Sequence, residues 1–314
     1  MNGRETETWL PIAIGTTFVI AACGADAPSA RGGDPVLAEL DRLVAADAAP
    51  RFAATLRRHD SEDLSEGSSG RRTYADQEFR RIVPGLEKDA LALERLLHAT
   101  MIGGGCQLDG RYDGVEYDDF ERQRVALFGG VDPIDRSREL LAGDRLPIVD
   151  EAGLWGEFVV VVREPGEPGR YELDRSAGGE RDAIGAFTVD VPGDEFPGIG
   201  QIVLPVADVL DAAAVVADEQ GQVPIDVTLR WIPGARSDAR FNVSYEVHDE
   251  RGELYINCWT RDDGEFTLPE GTRARLPETL TSIVDIDLER QVVEMRAVGD
   301  AVVFVFAESA ADLL

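Results

Sequence analysis

The sequence predicts an α+β protein in which a mainly helical region, residues 35–150, precedes an antiparallel β-sandwich region, residues 151–308. Three observations predict it. Apolar residues recur at helical spacing before residue 150, and they alternate in twos beyond about residue 157. Pro and Gly clusters then cut the second half into about ten short strands spaced about 8–15 residues apart. At 314 residues the chain is long enough for a sizeable core and about two domains.

Taken in order, Asp34-Pro35 is an N-cap and N1 pair, because the carboxylate can accept the first free amides and proline has no amide to leave unpaired. Val36, Leu37, Leu40, Leu43 and Val44 then form one apolar helix stripe up to the break at Ala48-Ala49-Pro50. A second short helix is expected through Phe52 and Leu56. Residues 60–73 are polar and rich in Gly and Ser, which predicts a loop, and Phe79, Ile82 and Val83 resume helical spacing until Pro84-Gly85 interrupts it. A longer helix should carry Leu91, Leu93, Leu96 and Leu97 towards His98, with weaker helical stretches at 118–128 and 133–142.

Beyond Glu157 the pattern changes. Phe158 to Val162 is a β-branched run, Arg170 to Leu173 is another, and Ala186 to Val191 alternates. Ile225, Val227, Leu229 and Trp231 alternate with polar residues, as do Phe241, Val243, Tyr245 and Val247, so each strand should bury one face. Asp249 to Gly252 makes a tight connection to Leu254, Ile256 and Cys258, and Asp262-Asp263-Gly264 turns the chain into Phe266 and Leu268. Strands at 283–288, 292–295 and 302–306 complete the region, which could form two small sandwiches divided near residues 205–224.

Two resemblances add to this. The apolar stretch from Trp9 to Ala22 is 14 residues, too short to span a bilayer, and it ends in Ile20-Ala21-Ala22-Cys23. That run resembles the lipobox of bacterial lipoproteins, in which small residues before the cysteine fit the signal peptidase and the thiol accepts diacylglycerol. It implies a signal peptide over residues 1–22, lipidation with palmitate-type chains at Cys23, and a tether over residues 23–34 whose small, polar composition suits a flexible spacer. A triacylated cysteine would anchor stably. Gly24 after the cysteine is similar to the outer-membrane sorting signal of enteric lipoproteins. The second likeness lies in Val227 to Gly234 and in Cys258 to Pro269, with Trp231, Cys258 and the Asp262-Asp263-Gly264 turn. Over residues 185–308 this pattern resembles the immunoglobulin-like or fibronectin-III-like module of uncharacterised bacterial lipoproteins, which implies a scaffold with a tryptophan in its core and no catalytic residues.

With Cys23 lipidated, Cys106 and Cys258 remain as an even pair in a compartment that permits disulfides. Cys258 nevertheless falls in phase with Leu254 and Ile256 on a buried strand face, where free thiols are common. Both a bridge and two separate thiols remain open, and the periodicity favours the thiols.

The residues that could carry chemistry are few. HExxH, GxSxG, Walker and dinucleotide motifs and CxxC pairs are missing, and the three histidines His59, His98 and His248 read as helix or strand ends. Asp109, Asp113, Glu116 and Glu121 imitate part of a calcium loop, but Arg111 holds its third position and Phe120 stands where a bidentate glutamate belongs. A turn-rich surface loop is the better reading, so no metal and no cofactor are expected. Asp262 and Asp263 are adjacent on a turn and would point apart, which does not suit paired acid catalysis. The net charge of −29 repels phosphate backbones and excludes nucleic acid as a partner. What remains is an exported, lipid-anchored protein of the bacterial cell envelope, not an enzyme, that touches the membrane through its anchor and binds an envelope protein or glycan. A hydrolase whose carboxylates converge only in the fold and a calcium-dependent adhesion module are the alternatives.

Overall fold

A computed structural model describes residues 34–63, 70–119, 122, 125–126, 129–137, 139–162, 169–176, 183–210, 223–280, 282–283 and 285–312. The signal segment 1–22, the tether up to residue 33 and Glu121 lie outside the described residues. Helix accounts for about 14% and strand for about 52%, so the protein is mostly β. This overturns the expected helical region followed by a sandwich.

The two long helices stand where their spacing places them. In α1 (Pro35–Ala45) the Asp34 carboxylate accepts from the amides of Val36 at 2.9 Å and Leu37 at 3.0 Å. The second, α2 (Glu87–Gly103), begins just after the Pro84-Gly85 turn. In the stretch expected to be helical at 118–128, Asp119, Arg122, Val125 and Ala126 are helical, whereas the one expected at 133–142 holds only the short strand Ile134–Asp135 and is otherwise irregular where described; much of the rest is sheet. Phe52 and Leu56 belong to β1 (Phe52–Asp63), and Phe79 and Ile82 belong to β2 (Gly70–Ile82). In β2 the buried positions are Ala75, Phe79 and Ile82, a spacing of four and three that imitates a helix. It arises because the strand is covered on both sides: Ala75 and Phe79 enter one core and Ile82 another.

The main sheet has nine strands in the order β4-β3-β14-β13-β17-β18-β1-β2-β5. The remaining members are β3 (Gly105–Tyr112), β4 (Val115–Asp118), β5 (Ile134–Asp135), β13 (Arg240–Asp249), β14 (Gly252–Arg261), β17 (Asp285–Val298) and β18 (Ala301–Asp312). Its strands thus come from both sides of residue 150. The pairs are antiparallel except β1 with β18, which run parallel with Phe52 opposite Ala301 and His59 opposite Glu308. Five further strands, β6 (Arg145–Asp150), β7 (Gly153–Val161), β8 (Arg170–Asp174), β9 (Phe187–Val191) and β10 (Gly200–Leu204), form an antiparallel sheet ordered β10-β9-β6-β7-β8, and two short pairs join β11 (Val223–Pro224) to β16 (Ser282–Ile283) and β12 (Thr228–Arg230) to β15 (Glu265–Thr267).

One face of the nine-stranded sheet carries two cores. Over β1, β2 and β18 the five-stranded sheet packs face to face, burying Trp155, Phe158, Phe187 and Phe196 against Leu56, Phe79 and Val303. Over β3, β13, β14 and β17 a second core gathers Tyr245, Ile256 and Leu288 under Trp231, Leu268 and Ile283. Trp231 stacks on Phe241 with ring centroids 3.8 Å apart. The stretch 185–308 is not a unit by itself, because β9 pairs with β6 and β18 pairs with β1. The opposite face of the large sheet is covered in part by α1 and α2, which bury Val36, Leu40, Leu43 and Leu91 on Phe304 and Phe306.

Cys106 and Cys258 are joined as a disulfide. The reading that favoured two thiols placed Cys258 correctly on the buried face but could not see its neighbour. The register sets Cys106 directly opposite it across β3 and β14, with Cα atoms 4.0 Å apart.

Candidate functional site

Among the described residues, two ion pairs with both side chains at most 2% exposed hold the fold together. Arg58 and Asp60, whose side chains are each 2% exposed, pair on β1, and Thr73 donates to Asp60 at 2.6 Å. Arg58 also donates to the carbonyl of Gly185 and lies over the Phe187 ring, which ties the two sheets together. The second pair joins Arg290 on β17 to Asp262 in the turn after β14, at 2.7 Å.

The helix-covered face is different in character. Between α2 and the sheet lies a cavity of about 50 Å³ whose polar lining is Arg57, Glu78, Arg80, Glu94, His98 and Arg136. His98 is not at a helix end, as its sequence context suggested. It sits within α2, buried, stacked on Phe304 at 5.2 Å, with Nδ1 2.6 Å from the Arg240 guanidinium. A guanidinium can only donate, so Nδ1 accepts and Nε2 carries the proton. Burial and then the Arg240 charge hold the imidazole well below its usual pKa, and it stays neutral at pH 7.

Glu94, four residues earlier, has its carboxyl pushed up to about 7 by burial and by Asp132 and Glu78, with Arg136 opposing. A carboxyl raised in the fold binds more protons there than in the unfolded chain. Its penalty is therefore absent below about pH 4.5 and grows as pH rises to about 7. Glu94→Gln is expected to raise the unfolding free energy by about 1–3 kcal/mol at pH 8 and to leave it unchanged near pH 4. Urea titrations of both proteins at the two pH values check this, and equal shifts at both would refute it.

Beyond the helices, the same sheet face brings together His59, Glu289 and Glu308. Glu308 lies on β18 between His59 on β1 and Gln291 on β17, each its direct register partner. His59 Nδ1 is 3.5 Å from Glu308 Oε2 and 4.0 Å from Glu289 Oε1. Gln291 donates from Nε2 to Glu308 Oε1 at 3.1 Å, while its Oε1 is buried without a partner. Asn242, opposite Glu289 on β13, likewise buries an Oδ1 that has none. Burial, and then the neighbouring Glu308 carboxylate, hold Glu289 well above the usual carboxylate range. A proton bridging the two acids relieves their repulsion. In the next row Asp76 faces Arg57, and burial pushes its carboxyl up to about 6. An imidazole and two carboxyl groups converging on one point can move a proton or hold a divalent cation.

Sequence reasoning missed this cluster. His59 follows Arg57-Arg58 and read as a helix end, whereas it lies within β1. The available signal was Glu308, an acid ending the otherwise apolar run 301–307 of a buried strand. Of the residues singled out as an imitation calcium loop, Asp109, Asp113 and Glu116 fall on the β3–β4 hairpin. Asp109 accepts from Gly110 N at 2.8 Å, Glu116 faces Arg111 across the hairpin, and Asp113 lies in the turn. Among the described residues, His59, Glu289 and Glu308 are the only three His, Cys, Asp or Glu side chains with ligand atoms within 4.8 Å of one another. Asp262 and Asp263 do point apart, Asp262 inward to Arg290 and Asp263 outward in the turn. Among the described residues no helix is long and apolar enough to cross a membrane.

Protein-family models, curated proteins and solved structures contain no match to this chain.

Proposed function

We propose that the protein is an exported, lipid-anchored protein of the bacterial cell envelope, probing its surroundings from a tether, whose folded body binds a protein or glycan and does not catalyse a reaction. The observation that carries this reading is the Cys106–Cys258 bridge. Disulfides persist in oxidising compartments and are rare in the cytosol. Export is what the run Ile20 to Cys23 independently argues for. The tether would join the body at Asp34, which caps α1 and accepts from Arg240 at 3.1 Å. A strongly acidic surface, with 60 Asp and Glu against 31 Lys and Arg, favours a neutral or basic partner.

Metabolic labelling with palmitate in a bacterial host tests the anchor. The full-length protein is expected to be labelled and to sediment with membranes, and Cys23→Ala to be unlabelled and soluble. A Cys23→Ala protein that remains equally membrane-bound would exclude the lipid anchor.

A second reading, an envelope hydrolase, is favoured by one observation: Glu289 and Glu308, distant from His59 in sequence, converge on it in the fold. It requires that the wild type cleave an ester, peptide or glycan substrate that Glu308→Gln leaves intact.

A further inference from the structure

We infer that His59, Glu289 and Glu308 form a binding site for one divalent transition-metal ion of the zinc or manganese class, held on the helix side of the nine-stranded sheet. Three strands supply the ligands, β1, β17 and β18, and their ligand atoms already lie within 4.8 Å of one another. An ion at their centre lies about 2 Å from each donor, a distance that triangle accommodates with small rotamer changes.

Proximity of acids alone would not make a site. The second observation is Gln291, fully buried, whose side chain hydrogen-bonds Glu308 and Glu289 while its Oε1 has no hydrogen-bond partner. Asn242 Oδ1, opposite Glu289, is in the same condition. Leaving a buried carbonyl oxygen unpaired costs about 1–3 kcal/mol. An ion among His59, Glu289 and Glu308 changes what these amides meet. A water on that ion becomes a strong donor, and a strong donor is what both oxygens lack.

The donor types narrow the choice of ion. Calcium and magnesium prefer oxygen throughout, whereas imidazole with two carboxylates suits zinc, manganese or iron(II). The side chain of His59 is 35% exposed and that of Glu289 22%, so one side of the site opens to solvent. Three protein ligands with a solvent-facing side leave room for water or for an anionic group of a partner. When the ion displaces the proton that Glu289 and Glu308 share into solvent, two carboxylates match its charge, and Arg57 and Asp76 in the next row balance each other.

The test uses full-length protein in detergent, without a polyhistidine tag, stripped with EDTA and freed of chelator. Zinc or manganese is titrated by calorimetry, and native mass spectrometry counts the ions. One ion per chain is expected in the wild type. His59→Ala is expected to weaken that binding by at least about tenfold, and Glu289→Gln to do the same. His59 is partly exposed, so its variant should keep the wild-type circular dichroism, and with metal at about a hundred times Kd only the wild type should gain in melting temperature. Absence of binding by both metals in the wild type overturns the site, as does equal binding by a folded His59→Ala. Failure here leaves the lipid anchor untouched, since Cys23 labelling reads that separately.

Discussion

Asp262→Ala is expected to lower the unfolding free energy by about 3–5 kcal/mol, whereas Asp263→Ala, one residue on, should change it by less than about 0.5 kcal/mol. The contrast follows from burial. The Arg290 and Asp262 side chains are 1% and 2% exposed and meet at 2.7 Å, while Asp263 is exposed in the turn. Asp262 also accepts from Trp231 Nε1 at 2.7 Å and from Gly234 N at 2.8 Å. Arg290 spends its other donors on the carbonyls of Asp208, Val209 and Ile232. Removing the carboxylate leaves a buried guanidinium, an indole N–H and a backbone amide without their acceptor. Urea midpoints at pH 7 measure the effect, and two variants of equal stability would show that the buried pair contributes nothing. The double variant Asp262→Leu with Arg290→Met should lose less than Asp262→Ala alone, because no buried charge is then stranded.

Breaking the disulfide should cost a similar amount by a different route. Cys106 and Cys258 are 152 residues apart, and closing a loop of that length removes chain entropy from the unfolded state worth about 5 kcal/mol. The Cys106→Ala, Cys258→Ala double variant is therefore expected to melt well below the wild type, and the wild type under dithiothreitol should fall most of the way towards it. Cys258 also packs in the core that holds Leu254 and Ile256, with Cys106 against it, so the alanines add a packing loss. Identical melting with and without reductant would show that the bridge does not constrain the chain.

What the sequence made legible was local. The alternation in β13 and β14 and their tight turn, the Asp34 cap of α1, and the leucines of α2 are each written within about a dozen residues. The strands β1 and β2 were not legible, since Arg58 and Asp60 are buried where an apolar residue would have marked the alternation, and Ala75, Phe79 and Ile82 repeat at helical intervals. Strand partnership was hidden for a deeper reason. Nothing near Phe52 announces that it will lie against Ala301. The same applies to the His59, Glu289 and Glu308 cluster, whose members meet only through that pairing and the β17–β18 hairpin. A motif search looks along the chain, and this site runs across it.

The parallel pairing of β1 with β18 also bears on when the protein can fold. Residues 301–312 form a strand in the interior of the nine-stranded sheet, between β17 and β1. While a ribosome still holds that segment, β1 has no partner on one side and the core under the five-stranded sheet lacks Val303 and Val305. The sheet therefore cannot close until residues 301–312 have been made, and closure between such distant segments is slow. One edge of β1 thus stays open to other pairing from the synthesis of Phe52 until that of Ala301, the interval in which an unfinished sheet is most prone to aggregate.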